Sequence, residues 1–222
     1  MTQFSWLEVV LMIVPVVLAI TLHEAAHGYV ARLCGDPTAW MLGRVSLNPL
    51  RHVDPVGTLL VPLGLFIAAK ILGTPPLLIG WAKPVPVDFQ RLRNPRRDML
   101  WVAAAGPAAN FFMMVFWALM IKFAHASPAS ALAGPLEFMA IGGIQVNAML
   151  MVFNLIPLLP LDGGRITFSL LPRGLALSYA QLEPYGLPIV LMAMFAFRDG
   201  LMRVLSPFVD GAIHVVAGLV GV

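Results

Sequence analysis

Charge is scarce in this chain. Only 11% of its 222 residues are Asp, Glu, Lys or Arg, while 59% are hydrophobic. Soluble domains carry roughly 25% charged residues, and the mean hydropathy here is +0.87. The balance excludes an ordinary soluble domain and points to the membrane class. The net charge is only +3. The basic residues form no stripe that could track a phosphate backbone, so no nucleic-acid partner is expected. Cysteine is nearly absent: Cys34 alone cannot form an intrachain disulfide, and it reads as a small packing residue at a helix end. The opening residues MTQFSWLEVV lack a basic region and a small-residue cleavage site. The first hydrophobic segment is therefore expected to be a retained span. There is no internal repeat, no low-complexity tract and no long hydrophilic stretch.

What remains is a series of apolar runs. A bilayer core about 30 Å thick needs roughly 20 apolar residues in a helix. Six segments are candidates, at about 6–33, 54–72, 98–123, 137–155, 181–197 and 201–221. These predict an all-α polytopic membrane protein forming one membrane-embedded domain over 1–222, with a core at about 6–166 and accessory C-terminal helices at about 181–221. The densest basic cluster is Lys83, Arg91, Arg93, Arg96 and Arg97, which places the start of the third segment in the cytoplasm. The connection at 125–135 has no Lys or Arg and suits the outside. The fourth segment then returns inward, the fifth runs out and the sixth comes back.

The basic residues also raise a conflict. Arg32, Arg44 and Arg51 follow the first segment and read as cytoplasmic too. If 54–72 spans once, the chain must cross back between about 73 and 87. About ten extended residues could do so, provided that protein or a wet cavity covers their backbone. One expectation is a re-entrant, partly extended β element near 73–87. The other is that 54–72 is itself a re-entrant hairpin.

One polar cluster stands out. His23, Glu24 and His27 end the first apolar run as HExxH. On a helix, residues four apart lie one turn apart on one face. Two such imidazoles can share a zinc ion, with the intervening glutamate placed to take a proton from water. Ionisable groups inside a membrane span mark a functional site by default. The alternative is a pair of hydrogen-bonded histidines in a helix bundle. Catalytic zinc usually takes three protein ligands and keeps one position open. Asp162, in NLIPLLPLDGGRI at 154–166, arrives on the same side as HExxH. Pro157 and Pro160 break the helix before it, and Gly163 and Gly164 allow close backbone approach. It reads equally as a third ligand or as the N-cap of the short helix that follows.

HExxH together with Asn154, Pro157, Leu161, Asp162 and Gly163 resembles the site-2 protease family of intramembrane zinc metalloproteases. The stretches GRVSLNPLRHVDPVGT at 43–58 and AAAGPAAN at 103–110 are similar to the same family, so the likeness spans about 20–166. It implies one zinc ion per chain on His23, His27 and Asp162, with Glu24 as general base. It also implies that Asn154 helps hold substrate or the oxyanion. The family's membrane-associated β-sheet after the zinc helix implies that an extended substrate pairs near 73–87, with Gly80 and Trp81 as candidate substrate contacts; Asn110, in the third segment, is a further candidate. The chain departs from larger members in having no room for a PDZ domain and in its extra hydrophobic segment at 54–72. Many relatives cut membrane-tethered regulators of transcription.

The reading is a multi-pass endopeptidase of a bacterial inner or plasma membrane. It would act on single-pass membrane proteins, with its active site toward the cytoplasm. The alternative is a metal-ion transporter using the same histidines and aspartate. It lacks the repeated half with matching broken segments that many transporters show. Asn110, Gln145 and Asn147 read as amides that bond between helices, with lining the site or clamping substrate as the alternative. His52 and Asp54 read as a capped interfacial turn, with a supporting role at the metal as the alternative.

Overall fold

The computed structural model describes residues 6–72 and 83–222. Among the described residues, four helices are long and apolar enough to cross a membrane: α1 (Trp6–Leu33), α4 (Pro95–Ala126), α5 (Ala133–Asn154) and α9 (Arg198–Val220). Between α1 and α4 lie a single turn, α2 (Thr38–Met41), and α3 (Val61–Leu72). Between α5 and α9 lie α6 (Asp162–Leu170), α7 (Arg173–Ala180) and α8 (Glu183–Ala196).

Of the six expected spans, four are found. The run at 54–72 divides into a π-helical stretch, Pro55–Leu60, and α3, which has 12 residues. At 1.5 Å per residue α3 is about 18 Å long, well short of the roughly 30 Å bilayer core. The run at 181–197 becomes α8, with 14 residues and a length of about 21 Å. Hydropathy registers the apolar content of both runs. It does not register that Asp54 caps the π-helical stretch through the Val56 and Gly57 N–H groups, or that α8 stops at Phe197. Asp54 therefore forms the capped turn, and His52 turns its Nε2 to the Ser46 carbonyl at 2.9 Å.

No β-strand occurs among the described residues. Of the re-entrant β element expected near 73–87, residues 73–82, including Gly80 and Trp81, lie outside the described residues. Residues 83–87 carry no regular secondary structure. Pro84 and Pro86 have no N–H to give to a ladder. The Lys83 N–H goes to the His52 carbonyl and the Val85 N–H to the Glu24 carboxylate.

The charge conflict disappears with the shorter α3. The C-terminal end of α1 is tied directly to the chain entering α4. Arg93 N–H donates to the Cys34 carbonyl at 3.0 Å, and Asp88 N–H donates to Asp36 at 2.7 Å. Both basic loops therefore sit at one end of the bundle. Pro95 opens α4, and the Asp98 carboxylate reaches back to the Asn94 N–H at 2.7 Å, as in one half of a capping box. Arg96 then spans to α6, donating to the carbonyls of Phe168, Ser169 and Leu171. A cation on the orphan carbonyls of a helix end is favourable for both hydrogen bonding and the helix dipole. At the far end, Gly221 of α9 lies beside Lys122 of α4, so α9 runs parallel to α4. The outward fifth span and returning sixth are thus replaced by one crossing.

Three of the long helices, α4, α5 and α9, bury a common apolar core. Met114, Trp117 and Ala118 of α4 meet Ala140, Ile144, Ala148 and Val152 of α5, with Leu205, Val209 and Val216 of α9. Small residues let the helices approach closely, the usual basis of association in lipid. α1 packs against both α4 and α5, and α6 packs against α4.

Asp36 is completely buried and accepts from the Thr38 N–H and hydroxyl as well as from Asp88. Burial pushes its carboxyl up, but these hydrogen bonds and nearby Arg91 outweigh it and hold the group below its ordinary value of 3.8. A depressed folded-state value means that the stabilisation is complete above that ordinary value and is lost as pH falls through the folded value. Asp36→Asn should remove about 2 kcal/mol at neutral pH and weaken the loss of stability in acid. Thermal unfolding in detergent checks this; an unchanged midpoint at neutral pH would contradict it.

Candidate metal centre

Two elements far apart in sequence deliver three side chains to one point. α1 carries His23 and His27 on one face, and the break after α5 turns the chain so that α6 begins with Asp162. That turn requires backbone contact: a Cβ on Gly163 would lie 2.2 Å from the Leu155 carbonyl oxygen. The N-cap of α6 is Leu161, with no side-chain cap, so Asp162 is not spent on capping. Its Oδ2 lies 3.2 Å from His23 Nε2 and 3.3 Å from His27 Nε2. The two Nε2 atoms are 3.1 Å apart. Among the described residues these three form the one group of His, Cys, Asp or Glu whose donor atoms converge as a metal site.

The hydrogen bonds behind the imidazoles decide what faces inward. His27 Nδ1 lies 2.7 Å from the Val102 carbonyl oxygen, which can only accept. His23 Nδ1 lies 2.6 Å from Asn110 Oδ1. Both Nδ1 atoms therefore carry the proton in the neutral ring, and both Nε2 atoms present lone pairs. Asp162 adds a carboxylate to the two imidazoles. Its Oδ2 is buried and receives no hydrogen bond. Three lone-pair bearers a little over 3 Å apart repel one another unless a cation or extra protons lie between them. Ligand atoms about 2.0–2.2 Å from a tetrahedral zinc ion are roughly 3.3–3.6 Å apart. The donor set and its spacing fit zinc.

Gly106 of α4 makes this approach possible. A Cβ there would lie 2.4 Å from His27 Nε2 and 2.6 Å from Cε1 of both His23 and His27. Gly106 was part of AAAGPAAN in the sequence, yet nothing in the pattern said that it faces the histidines. The Val102 carbonyl was likewise invisible, because a backbone acceptor leaves no sequence signal.

Glu24 borders the same cleft, of about 160 Å³, which Asn154 and Arg165 also line. Its Oε2 accepts the Val85 N–H at 2.8 Å. Asn154 Nδ2 donates to the Leu150 carbonyl at 3.0 Å, leaving its second N–H for another partner. Asn110, considered as a substrate contact, is fully buried behind His23 and does not line the cleft. A larger apolar groove of about 500 Å³ involves Leu22, Ala25, Ala26 and Tyr29. These lie on the other face of α1, away from the polar cluster.

Residues 118–197 match the model of peptidase family M50. This range holds Asn154 and Asp162. The chain is 37% identical to YwhC of Bacillus subtilis strain 168, provisionally named a zinc metalloprotease, over 83% of this chain and 79% of that one. It is 34% identical to Rip2 of Mycolicibacterium smegmatis, also provisionally named a zinc metalloprotease, over 69% of this chain and 54% of that one. Rip2 of Mycobacterium tuberculosis H37Rv is 28% identical over 87% of this chain and 66% of its own length. The chain thus spans about half of one Rip2 and two thirds of the other. No solved structure matches closely enough to count as similar.

Gly106→Ala should weaken zinc binding at least tenfold although it removes no ligand. Gly134→Ala, where nothing lies within 4 Å of the new methyl, should leave it unchanged. Competition with a chromophoric chelator measures both; equal affinities would contradict the packing of Gly106 against the histidines.

Proposed function

The chain belongs to peptidase family M50, the site-2 protease type of zinc metalloprotease, and we propose that it cleaves other membrane proteins at a site within the bilayer. The observation that carries this reading is the convergence of His23, His27 and Asp162, two of them on a helix apolar enough to span a membrane. The proposed ligands are His23 and His27 through Nε2 and Asp162 through Oδ2, one zinc per chain. A zinc ion held there supplies Lewis acidity, which polarises a peptide carbonyl and makes water a usable nucleophile near neutral pH.

Glu24 is the proposed base. Its carboxylate takes the proton from the attacking water and returns it to the departing amine. The Val85 N–H on Glu24 Oε2 supports this role, because a peptide N–H already rests on that carboxylate within the cleft. The second N–H of Asn154 is the proposed donor to the oxyanion. Substrate must arrive unwound, since a helix hides its carbonyls in its own hydrogen bonds. The proposed substrate is a single-pass membrane protein. The end of the bundle carrying Arg44, Arg51 and the Lys83–Arg97 cluster is assigned to the cytoplasm by the positive-inside rule. The proposed location of the cleft is accordingly the cytoplasmic side of a bacterial inner or plasma membrane.

Glu24→Gln separates this from metal transport. In proteoliposomes the variant should hold zinc within about twofold of wild type and lose cleavage of tagged single-span proteins by about 10³-fold. Zinc flux through wild type, with no cleavage across a panel of such proteins, would contradict the protease reading.

A further inference from the structure

Asn147 sits on α5 and touches neither the histidines nor Asp162 through any hydrogen bond in the structure. We propose that it is a positioning residue that sets the ring tautomer of His23 through Asn110. This rests on the reading of His23 as a metal ligand.

Fixed acceptors orient both amides. Asn147 Nδ2 donates to the Gly143 carbonyl at 2.8 Å. Turning the amide over would set two acceptors against each other in a fully buried place, so Asn147 Oδ1 is held toward α4. It accepts from Asn110 Nδ2 at 2.9 Å, and the same nitrogen lies 3.4 Å from the Ala19 carbonyl oxygen. Turning Asn110 over would leave its oxygen facing two acceptors. Asn110, also with no exposed surface, must therefore offer Oδ1 to His23 Nδ1 at 2.6 Å. That contact requires a proton on Nδ1, which leaves Nε2 as the lone pair aimed at His27 and Asp162. His27 obtains the same result in one step from the Val102 carbonyl, which cannot flip. His23 faces an amide that can flip, and Asn147, at 2.9 Å against 3.4 Å for the Ala19 carbonyl, is the nearer group that removes that freedom. Without it, Asn110 can present its NH₂ group to Nδ1. The proton then moves to Nε2 and the ring can no longer ligate.

Four purified full-length proteins test this by zinc competition with a chelator: wild type, Asn147→Leu, Asn110→Asp, and the double variant. Leucine keeps the volume and removes the relay, so Asn147→Leu should weaken zinc binding ten- to a hundredfold in the wild-type background. An aspartate at 110 accepts from Nδ1 in either orientation. In that background, adding Asn147→Leu should change affinity less than about threefold relative to Asn110→Asp alone. An equal loss in both backgrounds would show a packing role and overturn the proposal, as would no loss in the wild-type background. If Asn147→Leu does not fold, ¹⁵N NMR of metal-free wild type decides. His23 should be the Nδ1–H tautomer, and an Nε2–H tautomer would overturn the relay. Wild-type protein that binds no zinc would sink the metalloprotease reading itself. Wild type that binds zinc alongside an unaffected Asn147→Leu would sink the relay alone.

Discussion

Three lone pairs meet where there is no proton to share. His23 Nε2, His27 Nε2 and Asp162 Oδ2 stand 3.1–3.3 Å apart, and the ring protons are committed elsewhere, to Asn110 and Val102. In a buried setting such an arrangement is repulsive and holds together only around positive charge. The rest of the molecule can be understood as the frame that enforces this convergence. α1 supplies two donors and carries Glu24 beside them. α4 supplies a glycine to make room and a carbonyl to orient one ring. α4 also supplies Asn110, the amide behind the other ring; α5 supplies Asn147 behind that amide, and the turn after α5 delivers the carboxylate.

That frame is fixed at its ends as well as along its core. Asp36 and the Cys34 carbonyl hold the end of α1 to the chain entering α4, and Arg96 holds α4 to the last carbonyls of α6. Each junction joins an element that carries a site residue to its neighbour. A displacement of α6 by one ångström would move Asp162 out of reach of the imidazoles, so these surface-end contacts matter to the chemistry although none touches it. The apolar core of α4, α5 and α9 keeps the amide relay dry, which is what makes a flipped amide unfavourable.

Much of the site was legible in the sequence. HExxH fixes two donors and a carboxylate on one helix, and an acidic residue after a Pro-broken apolar run is a natural third donor. The sequence left open whether Asp162 caps a helix; the structure has Leu161 in that position. The span count was less legible. Hydropathy measures how apolar 54–72 and 181–197 are, but a capped π-helical stretch and a 14-residue helix are decided by local hydrogen bonding. The conflict between the two basic loops was the better guide, because it already allowed that 54–72 does not cross. Asn110 and Asn147 were visible as amides in apolar helices. Only the contacts show that one stands behind His23 and the other behind Asn110. Gly106 and the Val102 carbonyl could not have been found, since both act through backbone.

The central claim is an ion bound by nitrogen and oxygen alone, in a chain that also holds one cysteine, Cys34. Zinc K-edge X-ray absorption on the purified full-length protein tests it most directly. The account predicts about one zinc per chain, with two imidazole rings and carboxylate or water oxygen at about 2.0–2.2 Å. A sulfur ligand at about 2.3 Å, fewer than two imidazoles, or no bound zinc would contradict it.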